Sequence, residues 1–465
     1  MRNNALFARL ILALIPIAAH ATATITIING DPSGKGFNDN SAADPVGGNN
    51  GTTIGQQRLN AFQAAADKWG ATLTSAVPIR VLATWDALGC TANSATLGGA
   101  SATEAFLNFK GAPKTGTLYS KALANAISGV DQDPRVSDIR ARFNINLGNA
   151  GCLTGTHFYL GLDNNHGTDV DLVTVLTHEF GHGLGFQTFT DASSGAQFGG
   201  YPSIWDYFLL DTSVGMTWDQ MTDDQRAASS LRNGKLVWNG SNVNSSAINQ
   251  LWWGTPSLQV TQPDSVAGSY SVGSASFGPP LANPGISAEI ATFVDTDPGQ
   301  ALACNPLSDA NTAAIVGKIA LVDRGTCTFV IKAANVQAAG ALGMIVVDNV
   351  AGSPPPNLGG LDSTILIPSV RVTQSDGAAL KAALGSGSVI ATLGVNPNQV
   401  QGADPNGNVL MYAPSPYQGG SSVSHFDISA FPNLLMEPNI SDDLTHEVTP
   451  PQDLTYLLLK DIGWQ

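Results

Sequence analysis

The sequence is poor in charged residues and in long apolar runs, and each shortage excludes a class of function. Charged residues make up 12% of the 465-residue chain, with 21 Lys and Arg against 36 Asp and Glu. An acidic chain is a poor match for nucleic acid or for an anionic membrane, because both attract basic surfaces. No apolar run reaches the roughly 18 residues of a membrane-spanning helix. We therefore expect neither a nucleic-acid partner nor a transmembrane segment.

Cysteine is also scarce, and its four positions indicate disulfide bonds rather than a metal site. Cys90 and Cys152 lie in the N-terminal region, whereas Cys304 and Cys327 lie close together in the middle of the chain. Neither pair has the C-x-x-C spacing of a structural zinc site. Four cysteines allow three connectivities. Pairing within each region predicts the bonds Cys90–Cys152 and Cys304–Cys327, which fit an oxidising compartment.

The first 23 residues are typical of a secretory signal peptide. Arg2 and Arg9 supply positive charge beside a short apolar run, and small residues offer a cleavage site near Ala21 or Ala23. Removing residues 1–23 takes away two arginines and no acidic residue, so the net charge goes from −15 to −17. We expect a secreted protein, either extracellular or periplasmic.

The abundant residues indicate a folded protein. Apolar residues make up 43% of the chain, and 50 glycines predict many turns. The length suits two or three domains with a sizeable core.

The motif H-E-F-G-H at residues 178–182 is the most informative stretch of the chain. Two histidines four residues apart share one face of a helix. That geometry holds a zinc ion, and a glutamate directly after the first histidine can act as general base on a metal-bound water. The spacing therefore predicts metal ligands at His178 and His182 and a general base at Glu179.

The residues around the motif predict a helix with one face in the core. Apolar residues recur on the side of the helix opposite the two histidines, and carboxylates and glycines mark its ends. The apolar residues are Leu172, Leu176 and Phe180, the acidic residues at the start are Asp169 and Asp171, and the glycines at the end are Gly183 and Gly185.

A catalytic zinc usually has three protein ligands, so one more is needed. A thermolysin-type site takes a glutamate about 20 residues downstream, but no glutamate lies between Glu179 and Glu289. The compact metzincin motif H-E-x-x-H-x-x-G-x-x-H fails at its last position, which is Thr188. Asp191 and Asp206 stay open as carboxylate ligands. A further candidate, His425, lies far along the chain.

Two distal segments bring a specific resemblance. His425 stands in S-H-F-D at residues 424–427, and L-L-M-E-P follows at residues 434–438. With the extended motif H-E-x-x-H-x-x-G-F, this order resembles the leishmanolysin-type metzincin peptidases. The resemblance implies one catalytic zinc ion, with His178, His182 and His425 as ligands, Glu179 as general base and Met436 in a turn beneath the metal.

The resemblance also has departures. Phe426 stands where relatives often carry Trp, which leaves the ligand itself unchanged. Pro438 stands where astacin-like relatives have an additional tyrosine ligand, so we expect no such ligand here. The implied fold class is α+β, a metzincin-like catalytic domain with a twisted sheet and an active-site helix.

The middle of the chain resembles a protease-associated (PA) domain, a β/α module. The segments that carry the resemblance are K-I-A-L-V-D-R-G-T-C-T-F at 318–329, G-M-I-V-V-D-N at 343–349, I-P-S-V at 367–370 and a helix-like run at 374–384. An insert whose ends lie side by side would let His425 approach the motif. The predicted domains are a signal peptide 1–23, catalytic parts 24–256 and 399–465, and a PA-like insert 257–398.

Other segments carry weaker expectations. Residues 156–162 predict a strand, either the rim strand that binds an extended peptide in metzincins or a plain core strand. The run 163–171 is dense in oxygen ligands, which allows a calcium site, although turn chemistry also explains it. Helices are expected at 205–211, 218–233 and 453–464.

The sequence therefore predicts a secreted zinc endopeptidase that hydrolyses protein or peptide substrates. Two alternatives stay open. One is a non-catalytic secreted protein that binds a partner through its PA domain, although a structural metal site has no use for Glu179. The other is a metallopeptidase whose third ligand is Asp191 or Asp206.

Overall fold

The computed structural model describes residues 22–295 and 299–465. The predicted signal peptide lies, up to residue 21, outside the described residues. Within the described ranges, no helix is long and apolar enough to cross a bilayer.

The part of the chain before the insert is built around a four-stranded sheet. The strands in this part of the chain, most of which lie outside that sheet, are β1 Ile25–Asn29, β2 Ile79–Asp86, β3 Cys90–Thr91, β4 Ser94–Ala95, β5 Gly98–Ala102, β6 Ala105–Phe106, β7 Tyr119–Ser120, β8 Ile139–Asn144, β9 Phe158–Tyr159, β10 Val170–Asp171, β11 Leu209–Asp211, β12 Met216–Thr217 and β13 Leu236–Trp238. Its helices are α1 Ile54–Thr72, α2 Lys121–Ser128, α3 Leu172–Leu184, α4 Asp223–Ser229 and α5 Ser241–Gln250.

The sheet has the strand order β1-β2-β8-β5. Strands β1, β2 and β8 run parallel, and β5 pairs antiparallel with β8 at the edge. Alternate residues of β2 are buried, as expected for a strand with one face on the core. Helix α1 packs against α3, and the Trp69 indole donates a 2.9 Å hydrogen bond to the Thr177 carbonyl.

Helix α3 carries the H-E-F-G-H motif, and its ends follow from local chemistry. The Asp171 carboxylate accepts a 2.7 Å hydrogen bond from the Thr174 amide and caps the first turn. The helix continues through Gly183 and ends at Gly185, whose φ of +129° few other residues adopt. Gly183 allows close packing, because a Cβ there would lie 2.4 Å from the Ile139 side chain.

The inserted part contains a mixed eight-stranded sheet with strand order β15-β14-β21-β17-β18-β19-β20-β16. Its strands are β14 Trp253–Gln262, β15 Gly268–Ser271, β16 Gly273–Ser274, β17 Ile286–Ala291, β18 Ile319–Asp323, β19 Gly343–Val347, β20 Ser369–Val372 and β21 Val389–Val400. Its helices are α6 Asp309–Ile315, α7 Phe329–Ala338 and α8 Gln374–Leu384, and α9 Thr455–Ile462 follows near the chain end.

The chain enters and leaves the insert side by side. Strands β14 and β21 pair antiparallel, with Leu258 opposite Leu393. One apolar cluster joins residues from 23 to 251 with residues from 400 to 464, whereas two further clusters lie within the insert. The segments on the two sides of the insert therefore share one core.

The insert also touches the predicted catalytic part, residues 24–256 and 399–465, through a pair of backbone hydrogen bonds. The Ser353 amide donates to the Ser415 carbonyl at 2.7 Å, and the Ser415 amide donates to the Ser353 carbonyl at 2.8 Å.

Two of the expected helices are wrong in extent. Residues 205–211 form a short 3₁₀ turn, Ile204–Tyr207, followed by β11. Ser203 and Asp206 close a capping box there, which satisfies the backbone locally and ends the turn early. Residues 218–233 contain a short 3₁₀ turn, Trp218–Gln220, and then α4, because Thr222 caps a new helix start. The expected C-terminal helix at 453–464 is present as α9.

Both predicted disulfides are present. Cys90 is bonded to Cys152, and Cys304 is bonded to Cys327. The first bond lies within the catalytic part and the second within the insert.

Candidate metal centre

The structure brings three imidazoles from two distant segments together. The Nε2 atom of His182 lies 3.2 Å from those of His178 and His425, and the latter two are 3.3 Å apart. His178 and His182 come from one face of α3, whereas His425 is 243 residues further along the chain than His182. Within the described ranges, these three side chains form the one group suited to hold a metal ion.

The outer nitrogen of each ring is held by a backbone carbonyl. His178 Nδ1 donates to Leu435 at 2.7 Å, His182 Nδ1 donates to Phe186 at 2.8 Å, and His425 Nδ1 donates to Ser421 at 2.8 Å. A carbonyl only accepts, so each Nδ1 carries the hydrogen and each Nε2 keeps its lone pair. All three lone pairs therefore face a common point.

Burial keeps the three rings neutral, which is the form that binds a metal. Burial lowers the pKa of His178 to about 4 and that of His182 to about 3, where the neighbouring His178 adds to the effect. Burial and the two neighbouring imidazoles also lower the pKa of His425 well below its usual value.

The nitrogen spacing fits a tetrahedral zinc ion. Two nitrogens that are each about 2.0–2.1 Å from such an ion lie about 3.3–3.4 Å apart. The observed distances are 3.2–3.3 Å. Three imidazoles with one further position for water match the ligand set of catalytic zinc.

Glu179 lies next to this centre as a buried carboxylate. Its Oε2 atom accepts a 2.8 Å hydrogen bond from the Ala100 amide in β5. Burial raises the pKa of Glu179 to about 7, and the Ala100 hydrogen bond opposes that rise. A carboxylate whose pKa is raised by burial is a better proton acceptor than an exposed one.

Met436 packs against α3 at Gly181. Its sulfur would be 2.9 Å from a Cβ at Gly181, so glycine permits the close approach. The turn is tied to the ligands, because the Leu435 carbonyl accepts from His178 and the Met436 carbonyl accepts from the Phe426 amide at 2.9 Å. We infer that the turn orients two of the three imidazoles.

The alternative ligands lie elsewhere. Asp206 is buried and accepts hydrogen bonds from Thr188 and Thr190, both at 2.7 Å. Asp191 accepts from Ser193 and closes a surface turn. Neither carboxylate belongs to the group of metal-binding side chains among the described residues.

A cleft of about 1090 Å³ opens over the three imidazoles. One wall includes β5, whose outer edge is unpaired within the described part of the sheet. Backbone groups alternate in direction along a strand, and the Ala100 amide points to Glu179 rather than to β8. The Ala100 amide is thus taken by Glu179, and the other outward-facing backbone groups of this edge strand can pair with an extended peptide.

The expected rim strand at 156–162 is wrong. Only Phe158–Tyr159 forms a strand there, and it pairs with β10 outside the four-stranded sheet. The strand beside the site is β5, with the sequence G-G-A-S-A. No hydrophobic alternation marks such a strand, so the sequence offered little signal for it or for Ala100.

The oxygen-rich run 163–171 forms turns and caps. Asp163 accepts from Tyr159 Oη at 2.7 Å, Asp169 accepts from the His157 amide at 2.8 Å, and Asp171 caps α3. The described residues of this run supply no ligand cage, and calcium there stays a prediction.

Comparison with known proteins identifies the insert. Residues 287–380 match the family model described as the PA domain. The match covers the parallel strands of the insert and α8 up to residue 380, while β14 and β21 lie outside it. It confirms the PA domain expected from the sequence, within narrower bounds than 257–398.

The curated relatives are peptidases, and they match short stretches. Leucine aminopeptidase 2 of Arthroderma otae is 43% identical over 79 residues, which cover 17% of this chain and 16% of that protein. The minor extracellular protease Vpr of Bacillus subtilis is 34% identical over 88 residues, which cover 19% and 10% respectively. The chain thus matches only about a sixth or less of the length of these relatives.

Solved structures of peptidases also match this chain, but their structural similarity to it is low. An aminopeptidase from Aneurinibacillus sp. strain AM-1 has a TM-score of 0.24, 26% identity and coverage of 30% of each chain. A zinc aminopeptidase from Bacillus subtilis has a TM-score of 0.23, 27% identity and coverage of 33% of this chain and 36% of that one. Such scores carry no argument about the fold of the catalytic part. The identification is confined to the insert: residues 287–380 are a PA domain.

Proposed function

We propose that this protein is a secreted zinc-dependent endopeptidase of the metzincin type. The observation that carries the proposal is the convergence of three neutral imidazoles, each with Nδ1 held by a carbonyl, next to the buried carboxylate of Glu179. A site that only binds metal has no need of such a carboxylate. The names of the PA-containing relatives also support a peptidase.

In this proposal His178, His182 and His425 hold the ion. A bound zinc ion would polarise the peptide carbonyl and make a bound water acidic enough to ionise near pH 7. The substrate lies along the outer edge of β5 as an added strand. Glu179 takes up the proton of the attacking water and then delivers it to the leaving amine, and the Ala100 amide fixes the carboxylate that does so.

The decisive experiment compares wild-type protein with Glu179→Gln on casein and on a peptide with acetylated and amidated ends. We expect the variant to lose about 10²–10⁴-fold in kcat/KM while it keeps stoichiometric zinc, because the loss concerns proton transfer and not metal binding. Glu289→Gln, in the PA domain, is the matched control and should retain activity.

Three outcomes separate the alternatives. Cleavage of the blocked peptide supports an endopeptidase, whereas cleavage only of a peptide with a free amino terminus supports an aminopeptidase, the activity named for several relatives. If zinc-loaded wild type and Glu179→Gln are equally inert, the protein is a non-catalytic binding protein.

A further inference from the structure

The disulfide of the PA domain has a chemical environment that the proposed peptide hydrolysis does not use. Cys304 is bonded to Cys327, and both residues are partly exposed. The residues on either side of Cys327, which are Thr326 and Thr328, are exposed. A small molecule in solvent can therefore reach this bond.

A buried lysine lies beside one of the two sulfurs. Lys332 on α7 is fully buried, and its Nζ atom donates to the Leu302 carbonyl at 2.5 Å and lies 3.7 Å from Cys304 Sγ. Burial lowers the pKa of Lys332, and the carboxylates of Asp295 and Asp323 oppose that fall. A lysine ammonium next to a cysteine stabilises its thiolate form. Cys304 is therefore placed to carry a negative charge if the bond opens.

The backbone before each of these cysteines is held in the left-handed region. Ala303 has a φ of +51° and Thr326 a φ of +64°, a conformation that is unfavourable for a β-branched residue such as threonine. Asp295 accepts from the Ala303 amide at 2.6 Å, and Asn335 Nδ2 donates to the Ala303 carbonyl at 2.9 Å. Strained conformations persist where the surroundings fix them. Opening of the disulfide would let the exposed Thr326 relax.

The second disulfide of the chain provides a comparison. Cys152, which is bonded to Cys90, is only 3% exposed. The group hydrogen-bonded to its sulfur is the neutral amide of Asn144, at 3.6 Å. Backbone strain alone does not distinguish the two bonds, because Leu153 beside Cys152 has a φ of +44°. The differences are the ammonium of Lys332 and the greater access from solvent.

We propose that the Cys304–Cys327 disulfide is a site of reversible thiol–disulfide exchange with small thiols, in which Cys327 is attacked and Cys304 leaves. The incoming thiolate forms a new S–S bond with Cys327 Sγ, the Cys304–Cys327 bond breaks, and its electron pair goes to Cys304. The Lys332 ammonium stabilises this leaving thiolate. One S–S bond replaces another, so the step needs no oxidant or reductant. Attack of the Cys304 thiolate on the mixed disulfide reverses it. The inference does not depend on the proposed peptidase function.

The test exposes the folded, full-length protein to reduced glutathione. Samples are quenched with acid, free thiols are alkylated, and peptide mapping by mass spectrometry follows both disulfides in the same sample. We expect the Cys304–Cys327 bond to react at least tenfold faster than the Cys90–Cys152 bond. At early times the glutathione should be attached to Cys327.

Two variants examine the causes. Lys332→Met keeps most of the apolar stem and removes the charge. It should slow the exchange about tenfold, because a leaving thiol of higher pKa leaves more slowly. Thr326→Gly should slow the exchange several-fold, because glycine adopts the left-handed conformation without strain. Lys318→Met is the matched control. Its ammonium pairs with Glu289 at 2.9 Å, and the variant should keep the wild-type rate.

The Cys90–Cys152 bond is the internal reference for folding. Unfolding of a variant would speed the reaction of both bonds together. If Lys332→Met unfolds, the attachment site in the wild type decides: glutathione on Cys327 supports the inference, and glutathione on Cys304 overturns it. An unchanged rate in folded Lys332→Met would also overturn it, as would equal rates for the two disulfides of the wild type.

Discussion

The PA domain and the predicted catalytic part differ in the groups that surround their buried carboxyl side chains. In the PA domain, Asp348 is hydrogen-bonded by Arg371 and, at 2.9 Å, by Arg324. Burial acts to raise its pKa, but the two guanidinium groups and a backbone amide hold the pKa of Asp348 below its usual value. This buried charge is balanced by the protein itself.

In the catalytic part, three buried carboxyl groups lie around the Met436 turn, and none forms an ion pair within the described residues. They are Asp427, Glu437 and Asp453. Burial raises the pKa of Glu437 to about 9 and that of Asp453 to about 6. Asp453 accepts from the Leu435 amide, and the Leu435 carbonyl accepts from His178.

The difference indicates how each part avoids an unpaired buried charge. The PA domain pairs its carboxylate with guanidinium groups, whereas the raised pKa values around the Met436 turn favour protonated, uncharged carboxyl groups. The three imidazoles would hold the proposed zinc ion only in the folded state, so loss of the metal should destabilise the predicted catalytic part and leave the PA domain unchanged.

The largest effect is expected for His425→Ala. Removal of one of three ligands should weaken zinc binding by more than the roughly 100-fold reported for loss of an outer-sphere contact, and should abolish peptide cleavage. Zinc content after dialysis measures this directly. His157 is not one of the three ligands, so the control variant His157→Ala should retain zinc. The variant Asp191→Ala tests the alternative ligand. Stoichiometric zinc in His425→Ala would remove this assignment.

An intermediate loss of stability is expected when either of two comparable glycines is replaced by alanine. A Cβ at Gly183 would lie 2.4 Å from Ile139, and one at Gly377 would lie 2.1 Å from Val347 in the PA domain. Each alanine variant should lose about 1–3 kcal/mol of stability through overpacking. Gly183→Ala should also speed zinc release, whereas Gly377→Ala should not. Equal zinc release in both, followed with a chromogenic chelator, would show that the two parts unfold together.

The smallest effect, and a stabilising one, is expected for Glu437→Gln. The amide can still accept from the Leu434 amide, as the carboxylate does at 2.8 Å, but it cannot ionise. Because the pKa of Glu437 is raised from 4.5 to about 9, the wild type should lose stability as pH rises between these values. The Tm of the metal-free variant should therefore exceed that of the metal-free wild type at pH 8, by roughly 2–4 °C for each kcal/mol that the buried charge costs.

The same comparison at low pH supplies the check. Below pH 4.5 both proteins carry a neutral group at this position, so their Tm values should converge. Glu447→Gln is the matched surface control, because Glu447 is 44% exposed and pairs with Lys68. A constant difference at all pH values would mean that hydrogen bonding, and not charge, distinguishes the two proteins.

The parts of the molecule that could be predicted are those whose signal is local. Continuous Ile and Val runs marked β18 and β19, and the helix expected at 374–384 is α8. Helical spacing placed His178 beside His182. The approach of His425 needed the family resemblance, because no local rule connects residues 243 positions apart.

The missed features depend on partners that are distant in sequence. Strand β5 is small and glycine-rich, and its place is set by pairing with β8. The acceptors that hold the three imidazoles are main-chain carbonyls, which every residue has. No residue type in the sequence therefore identifies them. Residues 205–211 looked helical, but the capping box of Ser203 and Asp206 ends the turn early.

The sequence separation between the second and third imidazoles also limits when the three can meet during translation. A ribosome that adds about 5–20 residues per second needs roughly 10–50 s to travel the 243 residues from His182 to His425. During that time the nascent polypeptide has two of the three side chains while the PA domain, residues 287–380, is being translated. The three imidazoles of the proposed metal centre therefore cannot come together until the insert has been translated.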